Sequence, residues 1–298
     1  MQTQMTRAAF VAIVGRPSSG KSTLLNALCE QKISIVSPVP QTTRNKVRGV
    51  LTAPPGQLVF IDTPGFHHSD RKFNLHLKDL VSSALAETDF ALYVLDASRP
   101  PATEEEELAK IIAEHGGRVV VAVNKIDLKR AVPDVVEQFV MGAIPTAHPF
   151  RISALAGTGV DRLKEALFEA APEGEPMYPA DIYTDQEPNF RVAEIIREKA
   201  ILLTRQEVPH ALFVDIADME VHAEGTTLWI RAFIMVERES QKGIVVGKGG
   251  EKIRDIRVAS QKEIARLFPY SVHLDLRVKV AANWRANDKL VRRLTGSE

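Results

Sequence analysis

Gly15–Ser22 reads GRPSSGKS, and this octapeptide decides the first half of the chain. It fits the spacing G-x-x-x-x-G-K-[ST]. The apolar run Ala8–Val14 precedes it as a strand, and Lys21–Cys29 follows with the spacing of a helix. Strand, glycine loop and helix are the context in which this spacing builds a phosphate-binding loop. Glycine lets backbone N–H groups curl around phosphate oxygens, and the helix N-terminus adds its positive dipole end. Lys21 is expected to reach the β- and γ-phosphates, and the Ser22 hydroxyl to coordinate Mg²⁺. Gly15, Arg16, Pro17, Ser18, Ser19, Gly20, Lys21, Ser22 and Thr23 are the candidate nucleotide contacts.

Working outward, further apolar strands appear at Gln57–Ile61, Phe90–Asp96, Arg118–Asn124 and Pro149–Ser153, with helical stretches at Glu104–Glu114 and Val160–Ala170. Alternating strands and helices predict an α/β domain with a mainly parallel sheet covered on both faces. Three motifs end these strands. Asp62–Gly65, DTPG, offers Asp62 to the magnesium through a water, and Gly65 N–H to the γ-phosphate, a contact that hydrolysis removes. Thr63 and Pro64 complete that candidate contact. Asn124–Asp127, NKID, carries the base chemistry. The Asp127 carboxylate can accept from guanine N1–H and N2–H₂ together, whereas adenine leaves it unpaired, which is costly. Asn124 braces the loop, and the Lys125 stem lies over the base. Ser153–Leu155, SAL, places the Ala154 N–H toward guanine O6. Four motifs in order at strand ends match where parallel sheets bind ligands. Together they resemble the translation-factor-related class of GTPases.

Between the first two motifs, Pro40–Asn45 reads PQTTRN, with Thr42 and Thr43 both candidates to close over Mg²⁺ and the γ-phosphate. Lys21, Thr42, Thr43 and Gly65 are the expected catalytic set, and Ser22, Thr42, Thr43 and Asp62 the expected metal set. Many relatives orient the attacking water with a glutamine after D-x-x-G. Phe66 stands there and cannot hydrogen-bond water, so slow hydrolysis is expected unless a partner or a cation assists. His67 and His68 read as loop residues.

Composition narrows the class. The 298 residues are 45% hydrophobic and 26% charged with a formal net charge of zero, as in a soluble globular protein with no bulk electrostatic preference. A single cysteine, Cys29, cannot form an internal disulfide, which fits a reducing compartment. The apolar run near Met1 feeds straight into the glycine loop, reading as a core strand rather than a signal peptide. No apolar run approaches the roughly 18 residues of a membrane span. A cytoplasmic monomer is expected.

Ala171–Pro188, APEGEPMYPADIYTDQEP, has prolines, acids and no periodicity, and reads as a linker, with a long ordered loop packed on either domain as the alternative. The expected division is 1–172, a linker at 173–189, and 190–298. The second half follows a different order: helix at Phe190–Thr204, strands at Ala211–Met219 and Thr226–Glu237, a glycine loop followed by one helix or two within Gly243–Phe268, and a strand at Ser271–Val280. Gly247–Gly250 is a G-x-x-G loop after an apolar, strand-like lead. In a KH domain such a loop clamps the backbone of single-stranded nucleic acid. Val246, Gly247, Lys248, Gly249, Gly250, Lys252 and Ile253 are the RNA-binding candidates. Basic residues outnumber acidic ones roughly two to one from Gln241 to Tyr270. Trp284–Leu294 is basic, and reads as a helix packing Trp284 and Leu290 into the core or as an extension of the RNA surface.

The series GRPSSGKS, PQTTRN, DTPG, NKID, SAL and VVGKGGEKI resembles the Era family, bacterial GTPases with a C-terminal KH domain of the prokaryotic type, over nearly the whole chain. The resemblance implies a P-loop GTPase domain followed by an α+β KH domain. It implies binding of the 3′ end of 16S rRNA, a role in maturation of the 30S subunit, and loose association with the inner face of the cell membrane in some bacteria. Several relatives carry an activating K⁺ on a loop asparagine; Ser18 stands there and puts K⁺ in doubt. Two other readings stay open at this point: a passive RNA-binding protein with a GTP-sensing domain, and a GTPase whose second domain contacts protein or membrane. A P-loop kinase is a remote third, against which NKID argues.

Overall fold

The computed structural model describes residues 6–37, 47–62, 82–114, 118–204, 212–222, 225–282 and 284. Two units divide between Asp185 and Gln186. Thr42, Thr43, Thr63, Pro64, Gly65, Phe66, His67 and His68 lie outside the described residues, as do Arg285–Leu294.

The first unit is built on six strands: β1 Arg7–Val14, β2 Val47–Ala53, β3 Gly56–Asp62, β4 Phe90–Asp96, β5 Val119–Asn124 and β6 Pro149–Arg151. Their order in the sheet is β2-β3-β1-β4-β5-β6, with β2 antiparallel to β3 and the other pairs parallel. Every residue of β3 and β4 is buried, as strands covered on both faces require. Helices α1 Lys21–Cys29, α2 Thr103–Glu114, α3 Pro133–Ala143 and α4 Val160–Ala170 belong to the same unit. On one face, Leu108, Ile112, Val136 and Val140 pack with Tyr93, Leu95 and Val123. Acidic residues Glu104, Glu105 and Glu106 fill the first turn of α2, where they complement the helix dipole.

Parallel register fixes the functional edge. Ile13 lies opposite Asp62 and Leu92, and Asp96 opposite Asn124, so β1 and β3 end together while β4 and β5 run on a few residues further past the same edge. The chain leaves β1 for β3 on one side and β4 on the other. The glycine loop therefore starts at the point where strand order reverses, the usual ligand crevice of an open α/β sheet.

The segment read as a linker differs from that reading. Through Asp185 it is a strap on the first unit. Ala8 N–H donates to Pro172 O at 3.0 Å and Gly174 N–H to Thr6 O at 2.9 Å. Gln57, fully buried in β3, then takes hold: its Oε1 accepts from Met177 N–H at 2.8 Å and Tyr178 N–H at 2.9 Å, and its Nε2 donates to Tyr178 O at 2.9 Å. Further along, Val50 N–H donates to Tyr183 O at 2.9 Å, the Thr184 hydroxyl to Arg48 O at 2.8 Å, and Arg48 pairs with Asp185 at 3.0 Å. The strap thereby serves the backbone groups that β2, an edge strand, would leave open.

The second unit has α5 Pro188–Leu203, β7 Phe213–His222, β8 Thr227–Val236, α6 Glu239–Val246, a 3₁₀ turn Lys248–Gly250, α7 Glu251–Leu267 and β9 Ser271–Val280. The sheet runs β7-β8-β9, antiparallel then parallel. Strand β8 alternates strictly, burying Leu228, Ile230, Ala232, Ile234 and Val236 against Val192, Ile196, Val245, Ile256 and Ile264. Trp284 is buried and packs against Phe213 in a tilted pair, with ring centroids 4.9 Å apart.

Candidate functional site

The glycine loop is shaped by its backbone. Gly20 has φ +98°, and a Cβ there would stand 2.3 Å from Asn124 Nδ2. Only glycine lets the loop approach the β5 end this closely. Asn124 uses the approach: its Nδ2 donates to Ser19 O at 2.9 Å, and its Oδ1 accepts from Ala154 N–H at 2.9 Å. One buried amide thus ties together three loops that the sequence assigns to phosphate and base. The Ala154 N–H, expected on guanine O6, here serves Asn124. Ser153 is buried, its Oγ accepting from Ala156 N–H at 3.1 Å, while Leu155 is 84% exposed and Asp127 is exposed.

Lys21 is buried, and its Nζ donates to Gly15 O at 2.8 Å and Arg16 O at 2.9 Å. Burial pulls its pKa down from 10.5 to about 8, against the opposing pull of Asp62. The Ser22 hydroxyl donates to Asp62 Oδ2 at 2.8 Å, and Ser34 Oγ approaches the same oxygen at 3.2 Å. Asn26 on α1 holds the Ser34 turn by accepting from the Ile33 and Ser34 amides, each at 2.8 Å. A hydroxyl and a buried carboxylate at hydrogen-bond distance are hard oxygen donors that fit Mg²⁺. No group of three or more His, Cys, Asp or Glu among the described residues could hold a softer metal. The Ser19 hydroxyl is buried and makes no hydrogen bond among the described residues, a donor within the loop that phosphate oxygens suit.

Arg16 takes a different place from Lys21. Its buried guanidinium pairs with Glu105 at 2.8 Å and lies 3.5 Å from Asp96. Lys125, at φ +68°, donates to Ser18 O and, at 2.8 Å, to Asp96 Oδ2. Sequence reasoning missed Asp96, Glu105 and Ser34. The one available signal was a carboxylate closing the apolar run FALYVLD at the same sheet edge as the motifs.

In the second unit the apolar lead to the glycine loop is helix α6, not a strand. Gln241 stabilises its start, its side-chain oxygen accepting from Glu237 N–H at 2.9 Å and Arg238 N–H at 3.0 Å. Gly247 breaks the helix at φ +74°, where a Cβ would stand 2.7 Å from Lys252 Cβ. Gly249 and Gly250 also have positive φ, and Gly250 opens α7. Lys248 is exposed on this turn; Val246, Lys252 and Ile253 are half-buried beside it.

Comparisons with known proteins bear on both units. Residues 10–125 match the family model described as 50S ribosome-binding GTPase, and residues 207–285 match the KH domain. GTPase Era of Treponema denticola is 46% identical over 291 residues, covering 97% of this chain and 99% of the relative. The chain belongs to the Era GTPase family. GTPase Era of Borreliella afzelii is 45% identical over 97% of this chain and 99% of its own length. Among solved structures, Era in complex with MgGDPNP and nucleotides 1506–1542 of 16S ribosomal RNA superposes with TM-score 0.89 at 35% identity, covering 98% of this chain and 99% of that one. An Aquifex aeolicus Era bound to GDP and AlF₄⁻ gives TM-score 0.88 at the same identity and coverage. The fold is therefore an Era-type P-loop GTPase domain followed by a KH domain, and the chain is a GTPase.

Proposed function

We propose that this Era-family GTPase couples the GTP–GDP cycle to binding of the 3′ end of 16S rRNA, during assembly of the 30S subunit. The observation that carries the nucleotide half is the single edge at which Lys21, Ser22, Asp62, Asn124 and Lys125 meet. The observation that supports the RNA half is the glycine turn Gly247–Gly250 between two helices, with exposed Lys248 on it.

In this proposal Lys21 exchanges its loop carbonyls for the β- and γ-phosphates, the backbone amides of Ser18–Ser22 surround them, and Asp127 reads the guanine edge. Ser22 and Asp62 would hold Mg²⁺, which supplies charge neutralisation between the phosphates. Asn124 keeps the phosphate and base loops in register, so that one nucleotide spans both. Nucleotide chemistry belongs to 1–172, closed by the strap to Asp185, and RNA binding to 190–298. Val246 and Ile253 offer apolar surface to bases while Lys248 and Lys252 offset backbone phosphates. The proposed site of action is the cytoplasm. No helix among the described residues is long and apolar enough to cross a membrane, so any membrane association is proposed to be peripheral.

The test is affinity for single-stranded RNA of the 16S 3′-terminal sequence, against a scrambled control, at fixed salt. Binding is measured with a GTP analogue, with GDP and without nucleotide. Selective binding that tightens with the analogue is expected. Equal affinity in all three states would reduce the protein to a passive RNA binder, and absence of selectivity would remove the rRNA assignment.

A further inference from the structure

Asp96 closes strand β4 at the level of Asn124. Its carboxylate is buried, with the side chain 6% exposed. One oxygen, Oδ1, accepts from Ser98 N–H at 2.8 Å, which fixes the rotation of the group. The other, Oδ2, accepts from Lys125 Nζ at 2.8 Å. Lys125 also donates to Ser18 O in the phosphate loop. Its ammonium is therefore held from two sides, while its backbone sits in the left-handed region at φ +68°. A non-glycine residue persists there when its surroundings over-determine it.

The neighbouring charges leave Asp96 to this task. Arg16, a buried cation of the loop itself, has its close partner in Glu105 at 2.8 Å and stands 3.5 Å from Asp96. Glu105 is itself oriented by accepting from Ala102 N–H at 3.0 Å. Burial alone would raise the Asp96 pKa, yet the hydrogen bonds from Lys125 and Ser98 hold it below the usual carboxylate value. The group is thus charged at neutral pH and matched to the Lys125 ammonium.

We propose that Asp96 is a positioning residue for nucleotide binding, acting by holding the Lys125 side chain across the gap between the phosphate loop and the base-reading loop. The proposal rests on the guanine-nucleotide reading above. Lys125 unheld would sample many rotamers, and a nucleotide would have to order it on binding. Asp96 removes that cost beforehand without touching the ligand.

A double-mutant cycle on GDP affinity and dissociation rate, using the full chain, tests this. Asp96→Ala removes a hydrogen bond to a charged group and is expected to weaken GDP binding about tenfold or more, chiefly through faster dissociation. In a Lys125→Met background the same substitution is expected to change affinity less than about threefold. Asp96→Asn, which keeps the shape and the Ser98 contact, is expected to fall between wild type and Asp96→Ala, and it carries the cycle should the alanine variant not fold. A merely structural Asp96 would give the same loss in both backgrounds, and that additivity, or unchanged affinity in the single variants, overturns the proposal. Wild-type protein that binds no guanine nucleotide would overturn the underlying reading as well.

Discussion

Titration of Lys21 is the sharpest test of the phosphate site. Burial lowers its pKa from 10.5 to about 8, with Asp62 pulling the other way. Phosphate favours the ammonium, so nucleotide binding above that pH must take up a proton. At a pH of about 8.5, roughly three-quarters of the free protein carries neutral Lys21, and GDP binding should take up about 0.8 proton. From about pH 7 to about pH 9 the ammonium fraction falls about tenfold, and affinity should fall with it. The free protein shows the linked effect. A lysine pKa lowered by folding means the unfolded chain binds more protons in the window between about 8 and 10.5. Stability of the nucleotide-free form should therefore rise with pH across that window, by a total on the order of 3 kcal/mol. Calorimetry of GDP binding in two buffers of different ionisation enthalpy reads the proton count directly. Lys21→Arg, charged throughout, should take up none from this position. Zero proton uptake by the wild type at pH about 8.5 would refute the assignment of a desolvated Lys21.

Three further outcomes are expected. Asp127→Asn should weaken GDP and improve binding of xanthosine diphosphate, because an amide can donate to the extra carbonyl; the loss for GDP should be about 2–4 kcal/mol by competition binding. Gly250→Asp adds a Cβ with open space around it but at φ +79°, a backbone strain of about 1–2 kcal/mol confined to the second unit, so the variant should be somewhat less stable there yet retain GDP affinity while losing RNA affinity in a filter or anisotropy assay. Gln57→Leu removes the bonds from a fully buried amide to Met177 and Tyr178 and should lower unfolding free energy by about 2–4 kcal/mol in urea titration.

The phosphate and base motifs were readable because their chemistry is contiguous. GRPSSGKS and NKID each carry loop shape and candidate ligand groups within a few residues, and buried parallel strands deliver both to the same edge of the sheet without further instruction. Strand β2 and helix α3 were missed, although the turn PPG after VRGVLTA and Pro133 at the start of PDVVEQFV are hairpin and helix-start signals. The lead GIVV was read as strand-like because a short apolar run has no period to separate strand from helix; Gln241, three residues ahead of Ile244, settles it by capping. Asp96 and Glu105 stayed hidden for a different reason. Their partner Arg16 is more than a helix and several strands away in sequence, and only the folded sheet edge makes the pairs. The strap was misread because Pro-rich, aperiodic sequence resembles a tether. What orders it is one polar residue inside an apolar strand, Gln57, whose amide satisfies backbone groups that composition cannot reveal.

That strap also sets an order of events during synthesis. Gln57 waits for Tyr178, 121 residues later, and Thr6 for Gly174, 168 residues later. Contacts of such long sequence separation form late. The edge at β2 therefore stays uncovered on a growing chain until Asp185 has been made, which is the moment the second unit begins to appear. A chain cut at Ala171 would keep every strand of the first sheet and still be held at this unfinished stage, with its buried glutamine unanswered and an open strand edge ready to pair with a neighbour.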